Sequence, residues 1–391
     1  MSVHELLDEL REIGRDPQTG GYRRFSWTPV DLELREWFKR QGELRGLPVE
    51  SDRNGNLWAT LEAAASNERV AVGSHLDSVP DGGAFDGPLG IASALAAIDQ
   101  LRSGGLRPQR SLALVVFSEE EGARFGVACL GSRLLTGAIE PERARALRDA
   151  DGVTLETAMK RAGGDPVLLG PDPMRLADLT AYVELHIEQG RALAELGQPV
   201  AIGSEIWPHG RWRLDFEGRA DHAGTTRMED RNDPMARFTA TASRVYDEAR
   251  RLAARATFGR LDVVPNATNA IPSRVIAWLD ARAESDTDLE GVVRMADSAD
   301  SVIAESVTSR VVFDEHLRKK ISTLLDDPPV LATAAGHDAG ILASSGVRAA
   351  MLFVRNPTGI SHSPDEQATP EDCEAGTTAL AAVLKELADF K

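Results

Sequence analysis

Four unbroken apolar runs, each leading into histidines or carboxylates, constrain this chain more than any other feature. Arg69–Gly73 (RVAVG) leads into Ser74-His75-Leu76-Asp77, and Leu112–Phe117 (LALVVF) into Ser118-Glu119-Glu120-Glu121-Gly122. Ala181–Leu185 (AYVEL) leads into His186-Ile187-Glu188-Gln189-Gly190, and Ala349–Val354 (AAMLFV) leads through a short Pro/Gly loop into Ser361-His362-Ser363-Pro364. Unbroken apolar runs suit strands covered on both faces. Helical stretches lie between them, among them the small, apolar Gly90–Leu101. Together they predict an α/β fold whose mostly parallel sheet carries helices on both faces. Open sheets of this kind bind ligands beyond the carboxyl ends of their strands, where these polar groups fall.

The texture changes after Ile206. Arg211–Gly218 alternates apolar and polar residues, as a half-exposed antiparallel strand does. A helix is predicted over about 234–254, an alternating stretch from Thr257, and another over 274–283. A second helix is predicted over about 288–307, with Arg310–Phe313 closing the set. The order β-α-β-β-α-β predicts an inserted ferredoxin-like α+β domain at 207–314, a lid and dimerisation domain, within a catalytic domain of 1–206 and 315–391.

Taken singly, each polar group has an ordinary explanation: a histidine after a strand hydrogen-bonds, and an acid triplet is a solvated turn. Jointly they do not. The chain has 8 histidines, and three of them follow predicted central strands. A fifth group, Gly82-Gly83-Ala84-Phe85-Asp86-Gly87, precedes the apolar helix. Three carboxylates behind an apolar strand are costly unless positive charge meets them, and a metal cluster supplies it. Imidazole and carboxylate without thiolate suit Zn²⁺, Mn²⁺ or Co²⁺. Five ligands exceed what one catalytic Zn²⁺ uses and suit two divalent ions sharing a carboxylate. Asp77, two residues past His75, is placed to orient that imidazole. The register of the Glu119–Glu121 triplet stays open at this level.

The ordered set SHLDSVPDGGAFDGPLG, SEEEGARFG, ELHIEQG, ADHAGTTRM, PNATNAIPSR, AGHDA and GISHSPDE, spanning residues 74–366, resembles the di-metal amidohydrolase branch of the aminoacylase/carboxypeptidase superfamily. That branch contains allantoate amidohydrolases, N-carbamoyl-L-amino acid hydrolases and β-ureidopropionases. The resemblance implies that His75, Asp86 and His186 hold one ion and that Asp86, Glu121 and His362 hold the other. It makes Glu120 the general base and His222 a donor to the developing oxyanion, delivered by lid closure or by a neighbouring subunit. It assigns Asn269 and Arg282 to the substrate carboxylate and Gln189 to the ureido group. Arg suits the carboxylate because its guanidinium grips two oxygens at once. His337 follows the family motif, but Thr333-Ala334-Ala335 before it departs from the family's usual glycine-containing sequence.

The implied activity is hydrolysis of a C–N bond in the ureido or carbamoyl group of a small carboxylate. The stretches 207–212 and 354–359 lean toward allantoate, with N-carbamoyl-L-amino acids as the close alternative. A non-catalytic binding protein on the same scaffold would have lost a ligand or the base, and this chain keeps all of them. The remaining expectations come from composition. With 44 Lys+Arg against 61 Asp+Glu the net charge is −17, which argues against nucleic acid or an anionic membrane as partner. Two cysteines form neither a disulfide framework nor a CxxC pair, and Met1–Gly14 patterns as an amphipathic helix, so a cytoplasmic protein is expected. An exposed edge on the inserted sheet predicts a homodimer.

Overall fold

The computed structural model of the chain describes residues 1–63, 66 and 68–391. It divides into two compact units, Met1–Glu205 with Val312–Lys391, and Ile206–Val311.

The larger unit is built on a sheet whose four central strands are parallel. Ser111–Phe117, Arg69–His75, Leu179–Ile187 and Ala349–Val354 lie side by side in that order. Leu57–Leu61 and Val200–Ile206 flank them antiparallel. All seven residues of Ser111–Phe117 are buried, which is why the run shows no alternation. The helix Pro88–Ser103 has its small residues Ala92, Ala94, Ala96 and Ala97 buried. At Gly90 an added Cβ would lie 2.4 Å from the Leu185 carbonyl oxygen, so helix and strand touch backbone to backbone. Leu95 in this helix is fully buried, and its truncation to alanine would cost ~2–5 kcal/mol. Parallel pairing brings the carboxyl ends of all four strands to one edge of the sheet.

The smaller unit is a four-stranded antiparallel sheet in the order Ser301–Thr308, His209–Glu217, Arg274–Arg282, Arg255–Val264. Helices Pro234–Arg251 and Asp286–Arg294 bring Phe238, Val245, Leu289 and Val292 to a core with Leu214, Phe216, Val275 and Leu279. The chain order is β-α-β-β-α-β, but its last members differ from the sequence reading. The second helix stops at Arg294, and Ser301–Thr308 is the fourth strand. The turn-forming run Asp297-Ser298-Ala299-Asp300 and the β-branched Val302, Ile303, Val307 and Thr308 explain the change. Val311–Val312 pairs instead beside Val200–Ile206 in the large sheet. The unit therefore ends at Val311, three residues before the expected boundary at 314. No helix among the described residues is long and apolar enough to cross a membrane.

Candidate metal centre

His75 closes the strand Arg69–His75, and His186 is the penultimate residue of Leu179–Ile187. Each imidazole is fixed by a carbonyl close in sequence. His75 Nδ1 lies 3.0 Å from the Asp77 carbonyl oxygen, and His186 Nδ1 lies 2.9 Å from that of Ile187. A carbonyl only accepts, so both Nδ1 atoms carry the proton and both Nε2 atoms turn the other way. The two Nε2 atoms are buried and have no hydrogen-bond partner. They face one atom, Asp86 Oδ1, at 3.4 and 3.2 Å. The ligand atoms of His75, Asp86 and His186 lie within 4.8 Å of one another, and so do those of Asp86, Glu121 and His362. His362 Nε2 is 3.4 Å from Glu121 Oε2 and 3.6 Å from Asp86 Oδ2. Asp86 is thus common to both groups, one oxygen toward each.

Glu120 lies beside the first group, its Oε2 3.7 Å from His75 Nε2. Its other oxygen, Oε1, accepts from the Cys129 thiol at 3.3 Å. Burial, then the charges of Glu120 and Asp338, push that thiol well above its ordinary range, so it remains an S–H donor. Asp77 orients His75 through its backbone carbonyl. Its carboxylate grips the loop that follows the next strand, Oδ1 accepting from the Glu120 N–H and Oδ2 from the Glu121 N–H, both at 3.1 Å. One residue therefore sets both the imidazole and the two glutamates. Glu119 sits at φ +55° and accepts from the Arg124 and Phe125 N–H groups, closing the turn that aims Glu120 and Glu121.

The electrostatics call for cations here. Burial drives Glu120 and Glu121 well above the ordinary carboxyl range, and neighbouring carboxylates add to the rise. Burial lowers the tendency of His75 to charge, but Glu120, Asp86 and Asp77 outweigh it and hold its pKa well above the usual imidazole range. Asp86, despite burial, is held well below its ordinary value by His186 and His75. Two inward-facing imidazole nitrogens without a hydrogen-bond partner, set among buried carboxylates, fit a pair of divalent ions.

Gln189 Nε2 donates to Asp86 Oδ2 at 2.8 Å, so its amide belongs to the same cluster. His337 packs edge-on against His186, with ring centroids 4.6 Å apart. His222, Asn269 and Arg282 lie in the smaller unit. His222 pairs with Ala270 in a short two-stranded ribbon, and the Ala223 N–H donates to the Asn269 carbonyl, so these two residues are neighbours. Arg282 ends the strand Arg274–Arg282, its Nε donating to Asp280 Oδ1 at 3.1 Å. Asn269 lies five residues before that strand, whose nine residues span ~26 Å from Arg274 to Arg282.

Cys129 and Glu366 received no role from the sequence. Cys129 gives no signal, since only the fold brings it to Glu120. Glu366 stands in GISHSPDE, four residues after His362, and that spacing was the available hint.

Fold and site together describe a mixed α/β metallohydrolase scaffold with paired histidine–carboxylate ligand groups at the carboxyl ends of parallel strands. A family model for peptidase family M20/M25/M40 matches residues 71–386, and the chain belongs to that family. It is 37% identical to an N-carbamoyl-L-amino acid amidohydrolase of Geobacillus stearothermophilus, with 98% of this chain and 97% of the relative covered. It is 31% identical to an allantoate amidohydrolase of Escherichia coli strain K12, covering 99% and 98%. Among solved structures it is similar to AtUAH in complex with glyoxylate, at TM-score 0.88 and 28% identity, covering 99% of this chain and 97% of that one.

Proposed function

We propose that the protein hydrolyses a C–N bond in the ureido or carbamoyl group of a small carboxylate. The observation that carries this reading is Asp86 shared between two ligand groups, with Glu120 beside the first. Two divalent ions, zinc or manganese with cobalt as a third choice, would be held by His75, Asp86 and His186 and by Asp86, Glu121 and His362. When bound, they would polarise the scissile carbonyl and acidify a water.

This chain's own groups do the rest. Glu120 takes a proton from the attacking water and returns it to the leaving nitrogen. The Cys129 thiol holds one Glu120 oxygen, leaving the other to face the site. Asp77 keeps Glu120 and Glu121 in register through their N–H groups. His222 donates to the developing oxyanion, Arg282 and Asn269 hold the substrate carboxylate, and Gln189 meets the ureido group.

The protein acts as a homodimer in which a second copy delivers His222. Two observations support this. The edge strand Ser301–Thr308 leaves Val302, Ile303 and Val307 40%, 45% and 54% exposed, an edge suited to pairing with another chain. Arg282 also stands at the far end of the ~26 Å strand Arg274–Arg282 from the segment that carries Asn269, a length greater than one small substrate spans, so Arg282 of one chain would work with His222 and Asn269 of another.

Allantoate and N-carbamoyl-L-amino acids both present a carboxylate beside a ureido group. Relatives named for each substrate match over nearly the whole chain, at 37% and 31% identity; stretches 207–212 and 354–359 support allantoate as the first substrate to test, with N-carbamoyl-L-amino acids as the alternative. The test is turnover of both by metal-reconstituted protein, with N-acetyl amino acids and dipeptides in parallel. Turnover confined to the acetyl or peptide substrates would overturn the proposal.

A further inference from the structure

Glu366 is 4% exposed, and its Oε2 accepts two backbone hydrogen bonds, from the Phe85 N–H at 2.8 Å and from the Asp86 N–H at 3.0 Å. The donors are 281 and 280 residues away in sequence. They belong to the glycine-rich loop that presents Asp86. Glu366 itself belongs to the loop that presents His362, where its N–H closes a tight turn onto the Ser363 carbonyl at 3.1 Å. The same loop reaches Asp86 again through Ser361, whose Oγ donates to Asp86 Oδ2 at 3.2 Å. The fit is close: at Gly83 an added Cβ would lie 2.3 Å from Glu366 Oε2 and 2.5 Å from its Cβ.

This placement is expensive. The other oxygen, Oε1, is buried without a hydrogen-bond partner, and an unpartnered buried carboxylate oxygen disfavours the fold. No basic side chain pairs with Glu366 among the described residues. Its carboxylate, carried on one ligand loop, accepts from the backbone of the other.

We propose that Glu366 is a positioning residue that locks the Asp86 loop to the His362 loop and thereby sets the second metal position, Asp86–Glu121–His362. The first position depends on it less, because carbonyls of their own segments fix His75 and His186. The proposal rests on the two-ion reading above. A carboxylate is not required for it, since any side chain offering one acceptor oxygen there can receive both N–H groups. Glutamine retains that oxygen, and alanine does not.

The experiment is zinc binding to the chelator-stripped full chain, measured by equilibrium dialysis, with thermal unfolding as a check on the fold. Wild type is expected to hold two Zn²⁺ per chain. Glu366→Ala should keep one at wild-type affinity and weaken the other at least tenfold. Glu366→Gln should restore the second to within a few-fold of wild type. Gly83→Ala provides a second route should Glu366→Ala fail to fold: its methyl would displace the carboxylate without removing it, and the second site should weaken alone. Wild type that holds no zinc would overturn the two-ion reading, and this proposal with it. Two zinc ions bound with unchanged affinities in Glu366→Ala, or in Gly83→Ala, would overturn the proposal alone. So would Glu366→Gln behaving as Glu366→Ala.

Discussion

The side-chain amide of Gln189 donates to Asp86 Oδ2 at 2.8 Å, on the oxygen that His362 faces. A residue assigned to the substrate is therefore in contact with the carboxylate that serves both ligand groups. Asp86 keeps other support, from Glu366 at its N–H and from the Ser361 hydroxyl at Oδ2. Gln189→Ala is expected to retain two metal ions per chain while KM rises about tenfold, ~1.4 kcal/mol, the size of one lost hydrogen bond. Loss of metal at unchanged KM would make Gln189 a support of Asp86 instead.

Metal dependence follows from Asp86 lying in both groups. Chelation should abolish turnover, and Zn²⁺, Mn²⁺ or Co²⁺ should restore it. Asp86→Ala should lose metal from both positions, since one carboxylate serves both. Metal analysis giving full occupancy in that variant would refute the shared role.

Adjacent glutamates should separate cleanly. Glu120→Gln should keep the metals and lose roughly 10²–10⁴-fold in kcat, the usual contribution of general-base assistance. Glu121→Gln should lower metal content. Asp77→Ala should do both at once, because the Asp77 carboxylate holds the N–H of each glutamate. Metal loss in Glu120→Gln with retention in Glu121→Gln would reverse the assignment.

Arg282→Lys keeps the charge and loses the planar fork. KM for a carboxylate substrate should rise roughly tenfold with a smaller change in kcat, the mark of lost uniform binding. An unchanged KM would remove Arg282 from the site.

The position of His222 can be tested by mixing. His222→Ala and Glu120→Gln should each be inactive alone. Under subunit exchange, a heterodimer with His222 acting across the interface contains one site with native Glu120 and native His222, so activity should partly return. Mixtures that stay inactive despite verified heterodimer formation would assign His222 to its own chain.

Much of this site was legible because its signals are local. Apolar runs that end in histidine or acid mark strand ends, and parallel pairing brings such ends together wherever the chain places them. His75, His186 and Glu119–Glu121 could therefore be gathered by pattern alone, and the family motifs then divided the triplet into base and ligand. Two elements were misread: Arg310–Phe313, expected to close the inserted sheet, pairs in the large one, and the helix predicted over 288–307 failed because its start is helical while Ser301–Thr308 gains its hydrogen bonds from His209–Glu217, a partner nearly a hundred residues earlier.

What the sequence determined by itself was the set of histidines and carboxylates that gather at the strand ends, since period and residue type are properties of short segments. What only the tertiary structure decided was how those groups are held. Asp77 orients His75 by its backbone carbonyl and uses its carboxylate on Glu120 and Glu121, across strands 43 and 44 residues apart. Cys129 reaches Glu120, and Glu366 reaches the Asp86 loop from 280 residues away. These are hydrogen bonds between segments that meet only when the sheet has formed, and no local pattern encodes which donor a buried oxygen will find.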